Sequence, residues 1–423
     1  MKPVNDRNVR RSIAVLQRLF GRDYARRFAV RFWNGTLVPA SENETFVLCL
    51  NAPYALRAML SPPFDFNSSR AFVEGAVDVE GSFEAAVDLF RGVARSTNRL
   101  TKAFLALALS RLPRPPKPND AGAAHLEGPV HSRKRDAAAI GFHYNQPLAF
   151  YQTFLDPDLV YSCAYFDDGV TTLEDAQNAK LDYVLRKLRL SAGESLLDIG
   201  CGWGSLVIRA AQRGARALGI TLSRLQYEEA QRRIAAAGLG DRARVELRDY
   251  RDLGDAVFDK IASIGMVEHV GRERLDEYFG AAFRALRPGG LFLNHGIAEE
   301  DAPRTGQRPA GFLAAYVFPD GDLLPVSMML GYAERAGFEV RDVESLREHY
   351  ARTLRVWVDN LERRKAAAIA VAGERTYRIW RLYLAGSAQG FASRRMGIFQ
   401  SLLARPHPDG RVEVPATRRD LYR

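Results

Sequence analysis

The chain is poor in cysteine. Only Cys49, Cys163 and Cys201 occur among 423 residues, and none falls in a CxxC or finger-like spacing. That argues against a disulfide framework or a structural zinc, no metal is expected, and a reducing, cytoplasmic compartment suits the three thiols. Long apolar runs are missing as well. No stretch approaches the roughly 18 residues of a spanning helix, and "MKPVNDRNVRRSIAVLQRLF" lacks the continuous apolar segment of an export signal. The expectation is an unexported chain without a membrane span. Acidic residues are scarce at the front: residues 1–140 hold 21 Lys and Arg against 13 Asp and Glu, which is +8 of the net +10. Such a face attracts nucleic acid or an anionic membrane surface, and it is also what a solvated basic helix looks like. No nucleic-acid-binding signature accompanies it, so lipid is preferred as the partner.

The length predicts two domains of unequal size. Proline and then small residues at "RLPRPPKPNDAGAA" (111–124) mark an extended linker. The expected division is a front domain over 1–110, a linker over 111–135 and a catalytic domain over 136–423. In front, "RFAVRFWNGTLV" and "ETFVLCLN" read as strands, and "SPPFDFNSSRAFVEGAVDVEGSFEAAVDLF" as loop, short strands and a helix, giving a small α+β domain. Behind the linker, "SLLDIG", "ARALGIT", "RVELRDY", "FDKIASIG" and "GGLFLNHGI" read as strands, the first three joined by helical patterns. That rhythm predicts an α/β fold with a doubly wound, mostly parallel sheet, whose ligands bind beyond the carboxyl ends of the strands. "RMGIFQSLLARP" reads as an antiparallel edge strand, and the long helical stretch from "REHYARTL" to "RLYLAG" as a cap beside the site.

The most distinctive local motif is "LLDIGCGWGSL", where Gly200, Gly202 and Gly204 follow a strand and open a helix. Ser205 replaces the last glycine of the dinucleotide fingerprint. With Asp198 just ahead of it, the loop resembles motif I of class I S-adenosylmethionine methyltransferases, in which glycines let the backbone approach the methionine part of the cofactor. A tight turn without a ligand is the competing reading. In "GITLSRLQ", Thr221, Leu222 and Gln226 offer contacts to ribose and the amino-acid end, although the usual ribose-binding carboxylate is missing. "RDYRDL" offers Asp249 as an acceptor for the adenine amino group, with the Tyr250 ring packing nearby. Each of these polar residues also suits an ordinary cap or turn.

Several blocks together resemble one family, the cyclopropane fatty acid synthases with the related mycolic acid cyclopropane synthases and fatty acid methyltransferases. "FLDPDLVYSCAYF", "LEDAQNAKLDYVLRKLRL", "LLDIGCGWGSL", "GITLSRLQ", "DYRDL" and "GMVEHVG" follow that family's order from about residue 140 to the end. The front segment, with "WNGTL" and "FVEGAVDVEG", is similar to the amino-terminal domain of the phospholipid-acting branch. The resemblance implies methyl transfer from S-adenosylmethionine to the cis double bond of an unsaturated phospholipid acyl chain, giving a cyclopropane. It further implies a homodimer in peripheral association with the inner face of the membrane, and adds Tyr161 and Ser162 to the cofactor contacts.

Methyl addition to an alkene leaves a carbocation, which the faces of Tyr161, Tyr165 and Phe166 would stabilise. In the family a bound bicarbonate is the base that removes the proton. The resemblance carries its ligands onto Cys163, Glu268, His295 and Tyr350, with the backbone at Ile297 close by. His295 and Tyr350 would donate to the anion and Glu268 would share a proton with it, while Cys163 would line the wall without acting as a nucleophile. Taken singly, Cys163 is as well explained by core packing, and His269 beside Glu268 by structural support.

One segment departs from the family pattern. "HYNQPLAFY" (143–151) stands where HYDVSNDFY is common, losing both acidic residues and gaining Pro147. It bears on substrate choice and on the fate of the cation, so an acyl methyltransferase giving methyl-branched or methylene products is the alternative. A small-molecule methyltransferase would leave the lipid-type front unexplained. A lipid-binding module with an inactive cofactor site would have no use for an anion pocket.

Overall fold

The computed structural model describes residues 6–20, 28–96, 99–117, 119, 122–299 and 311–422. The chain divides into two compact units, and the first is discontinuous: it comprises Met1–Ala123, Arg308–Val317 and Ala372–Gln389. Its four-stranded sheet has the order β2-β1-β3-β4, formed by β1 (Phe28–Phe32), β2 (Leu37–Val38), β3 (Phe46–Leu50) and β4 (Val77–Gly81). β1 and β3 run parallel, with the Phe28 and Phe46 rings stacked 5.1 Å apart in register. The sequence reading differs here in two ways. The stretch before β4, read as loop and strand, holds the helix Phe64–Val73. The late segment belongs to this unit through specific bonds: Arg378 donates to Asp78 (2.7 Å) and Phe72 O (3.0 Å), and Arg381 to Val79 O (3.1 Å). Pairings across some 300 residues leave no trace in local pattern.

The second unit, Ala124–Gln307, Phe318–Val371 and Gly390–Arg423, is the expected α/β fold. Its seven strands are β5 (Ser195–Ile199), β6 (Arg216–Thr221), β7 (Ala243–Leu247), β8 (Phe258–Ile264), β9 (Leu286–Glu299), β10 (Glu339–Ser345) and β11 (Met396–Ala404), in the order β10-β11-β9-β8-β5-β6-β7. The five strands from β9 to β7 are mutually parallel. β11 is antiparallel as expected but lies inside the sheet, paired with β9 on one side and β10 on the other. Its run Gln400–Ala404 is buried throughout, which an edge would not require. The two-residue period sends neighbouring side chains to opposite cores: Leu197, Ile199, Leu218 and Ile220 pack with the helix Leu275–Ala285, whereas Leu196, Ala217, Val245 and Ala262 pack with the helix Ser205–Gln212. The helical stretch after β10 is two elements, Arg347–Arg363 and Lys365–Ala392, the latter broken at Gly373 (φ 83°, ψ 156°).

Candidate active site

Class and site are set at the carboxyl ends of β5 to β8. After β5 the chain turns sharply, with Gly200 N and Cys201 N both donating to Ile220 O (3.0 Å each). Gly200 (φ 80°), Gly202 (φ 54°) and Gly204 (φ 82°) all sit in the left-handed region. Their surroundings differ. A Cβ on Gly202 would meet nothing within 4 Å, so that side is open to a ligand, whereas one on Gly204 would stand 3.1 Å from Ala230 Cβ. Gly204 accordingly does not line the cavity; it begins the helix Ser205–Gln212 and lets another helix pack closely.

The cavity is lined by Tyr161, Ser162, Asp198, Gly200, Gly202, Thr221, Leu222, Gln226, Asp249 and Tyr250, so the remaining cofactor candidates converge. Asp198 is 3% exposed; burial pushes its carboxyl up to about 7, against the pull of Lys180. Thr221 and Gln226 are hydrogen-bonded to each other at 2.8 Å. Asp249 is more committed than the sequence suggests. Burial would raise its pKa, but Arg251 bonds through its N (2.9 Å), Nε (2.8 Å) and Nη2 (2.5 Å) hold it below the usual carboxylate range.

The "YSCAYF" segment is held from two sides. Gln177 Nε2 donates to Val160 O (3.1 Å) and Ser162 O (2.9 Å), and Lys180 Nζ to Ser162 Oγ (3.0 Å), all from one face of the helix Leu173–Lys187. From the helix Arg347–Arg363, Thr353 Oγ1 accepts from Ala164 N (3.1 Å) and His349 Nδ1 from Phe166 N (3.0 Å). Only one of the three expected rings reaches the cavity. Tyr161 lines it, amid Trp357 (5.2 Å), His143 (5.7 Å) and Tyr144 (6.2 Å). Tyr165 instead stacks on His349 (4.8 Å), and Phe166 lies under Arg352 (4.0 Å), so both rings are taken up by side chains of the helix Arg347–Arg363.

Cys163, Glu268, His295 and Tyr350 do not line the cavity, although Ser162 and His269, next in sequence to the first two, and Ile264, paired with His295, do. The four are carried on mutually bonded elements. Cys163 Sγ is 3.8 Å from Leu346 O, which also accepts from Tyr350 N (3.0 Å). Leu346 N donates to Ile398 O, Ile398 pairs with Ile297, and Ile297 N donates to Glu268 Oε1 (2.7 Å). His295 lies two residues before Ile297 on β9, its Nδ1 3.4 Å from Gln400 Nε2. Burial pushes the Glu268 carboxyl up to about 7, drives His295 well below its ordinary value and raises the Cys163 thiol. Near neutrality the imidazole is therefore uncharged and the thiol protonated. Glu268 Oε2 and His295 Nε2 are buried with no hydrogen-bond partner. Orphaned polar atoms of this kind are rare in a packed core and fit a site that takes a small polar ligand. Among the described residues, no cluster of three or more His, Cys, Asp or Glu could hold a metal.

The sequence reading passed over Lys180, Trp203, Met266 and Asp136, all of which line the cavity. Lys180 had a signal: it falls on the apolar face of its helix with Leu173, Ala176, Leu181 and Val184, where a lysine is out of place.

A glycine turn after the first strand of a parallel sheet, with an acidic residue ahead of it and a cavity over the strand ends, defines a class I S-adenosylmethionine-dependent methyltransferase. Within that class the chain belongs to the mycolic acid cyclopropane synthetase family, whose model it matches over residues 131–401. It is 40% identical over 398 residues to a probable fatty acid methyltransferase of Pseudomonas putida, covering 93% of this chain and 96% of that one. Cyclopropane mycolic acid synthase 1 of Mycobacterium tuberculosis is 38% identical over 265 residues, covering 60% and 92% respectively. The crystal structure of mycolic acid cyclopropane synthase CmaA1 complexed with SAH and CTAB matches with a TM-score of 0.60 at 36% identity, covering 63% of this chain and 97% of that one.

Proposed function

We propose that the protein transfers a methylene unit to the cis double bond of unsaturated phospholipid acyl chains, forming cyclopropanes. The observation that carries this is the pair of orphaned atoms, Glu268 Oε2 and His295 Nε2, buried next to the cavity. A methyl delivered to an alkene leaves a carbocation whose proton must be taken up, and two unpartnered groups of this kind suit a site that holds the acceptor.

Asp198, Ser162, Gly200, Gly202, Thr221 and Gln226 would hold S-adenosylmethionine, which supplies an electrophilic methyl. An alkene is a weak nucleophile, so the protein must align it and keep water out. Tyr161, backed by Trp357 and Tyr151, presents an aromatic wall at the cavity, and such faces stabilise positive charge. When the cation loses one proton from the added methyl, the ring closes and charge balances. With Nδ1 accepting from Gln400, neutral His295 has its proton on Nε2, and Glu268, its Oε1 satisfied by Ile297 N and its pKa raised to about 7, has Oε2 left to carry a proton in its protonated fraction. Two donors so arranged suit a small oxyanion, and bicarbonate held there would supply the base. Cys163, protonated and enclosed, serves as wall.

The basic front of the chain suits peripheral association with an anionic membrane; no helix of the described residues is long and apolar enough to cross one. Association as a homodimer belongs to the same reading. Incubation with S-adenosylmethionine and vesicles of cis-unsaturated anionic phospholipid is expected to add the mass of one methylene per reacted double bond, with less reaction on zwitterionic vesicles. Unchanged lipid while the cofactor binds would reject the proposal. The full-length likeness to a relative named fatty acid methyltransferase, together with the "HYNQPLAFY" departure, favours a second reading in which the product is branched or methylenic. Proton NMR separates the two, since only a ring gives cyclopropyl resonances.

A further inference from the structure

Lys180 is a cation with almost no company. It is 1% exposed, and its one hydrogen bond among the described residues is the 3.0 Å contact to Ser162 Oγ. No carboxylate of the described residues approaches within ion-pairing distance of it. Of the two carboxylates whose charge it feels, Asp156 spends its oxygens on Asp158 N (3.0 Å) and Val160 N (2.9 Å), and Asp198 acts on it from beyond hydrogen-bonding reach. A buried ammonium with three donors and one acceptor is costly unless something anionic completes it. Both Lys180 and Ser162 line the cavity, beside Asp198, Gly200 and Gly202.

The direction of the Lys180–Ser162 bond matters. An ammonium can only donate, so Ser162 Oγ accepts, and the hydroxyl proton is left to be donated elsewhere. No other side chain of the described residues bonds to that hydroxyl. Opposite in sign, Asp198 lines the same cavity and makes no side-chain hydrogen bond to another of the described residues. A cation-polarised hydroxyl and a carboxylate on one wall are complementary to a zwitterion, which is what the amino-acid end of S-adenosylmethionine is.

We infer that Lys180, acting with Ser162, is the residue that positions the carboxylate of the cofactor's amino-acid end. The inference rests on reading the cavity as the cofactor site. Lys180 is thus a positioning residue: it fixes the donor that touches the ligand and supplies the counter-charge behind it. Its helix also carries Gln177, whose bonds to Val160 O and Ser162 O set the backbone at the same place.

The test is a ligand truncation crossed with a side-chain truncation, read by isothermal titration calorimetry on the full chain. The probes are S-adenosylmethionine and its decarboxylated analogue, and the proteins are wild type, Lys180→Gln, Lys180→Arg and Ser162→Ala. Wild type is expected to prefer the carboxylated form by about tenfold or more. Lys180→Gln is expected to lose most of that preference while binding the decarboxylated form as wild type does, with Lys180→Arg restoring part of it and Ser162→Ala lying between. Equal weakening toward both ligands would mean a merely structural lysine and overturn the inference, as would an unchanged preference. Should Lys180→Gln fail to fold, the Ser162→Ala ratio decides, and full retention of the preference there overturns it. Failure of wild type to bind either ligand would instead overturn the cofactor reading itself.

Discussion

On the proposed mechanism, Glu268 is the residue on which the chemistry turns. One oxygen is committed to Ile297 N at 2.7 Å and the other has no partner, so replacing the carboxyl by an amide keeps the shape and removes the titratable proton. Glu268→Gln is expected to bind S-adenosylmethionine as wild type does while losing about a hundredfold or more in turnover, the range of general acid–base contributions. Stability should report on the same group. Its folded pKa of about 7 exceeds the ordinary glutamate value because burial disfavours the charge. The native state therefore holds the proton more tightly than the unfolded chain, and the stability this contributes is complete at low pH and lost as pH rises through about 7. Relative to Glu268→Gln, wild type should lose about 3 kcal/mol between pH 4 and pH 8 in urea titrations; parallel curves would show that the carboxyl is not buried as described. Cys163 and His295 were singled out through the family resemblance, and in the structure both are buried and uncharged near neutrality. What local pattern concealed was Lys180, because a buried lysine is recognised only by what surrounds it.

At the level of elements, the glycine turn separates binding from packing. The three glycines look equivalent in "DIGCGWG", yet Gly202 faces open space and Gly204 faces Ala230. Gly202→Ala should weaken cofactor binding strongly while costing only about 1 kcal/mol in stability from its positive φ. Gly204→Ala adds a 3.1 Å contact to its φ penalty and should cost about 2 kcal/mol or more with a smaller effect on binding. Calorimetry and thermal melts on the two variants check the contrast; the reverse pattern would put the ligand on the wrong side of the turn. Strands β5, β6, β8 and β9 were readable because buried parallel strands are largely apolar runs, and β7, at the sheet edge, because Ala243, Val245 and Leu247 alternate with Arg244 and Glu246. β10 was not, since "EVRDVES" carries charge at half its positions and earns its place by pairing with β11. The helix Phe64–Val73 was hidden by the prolines before it, which in the structure precede its first residue and leave the helix intact.

For the whole molecule, the expected division runs once along the chain, whereas the two compact units are interleaved in sequence. The first unit takes in residues 308–317 and 372–389 from far along the chain, tied by Arg378 and Arg381 to the β4 strand through Asp78, Val79 and neighbouring carbonyls. Composition signals a break in the chain but cannot signal a return to an earlier unit. The charge asymmetry retains its meaning on this division, because residues 1–140 carry most of the net charge and the cavity lies entirely in the second unit.

The central claim is that the protein drains a proton from the carbon it has just delivered. Labelling that carbon tests it most directly: with S-adenosylmethionine bearing a trideuterated methyl, mass spectrometry of the lipid product should find two deuteriums retained per added carbon. Retention of all three would mean that the proton leaves from elsewhere, or not at all, and would contradict the role given to Glu268 and His295.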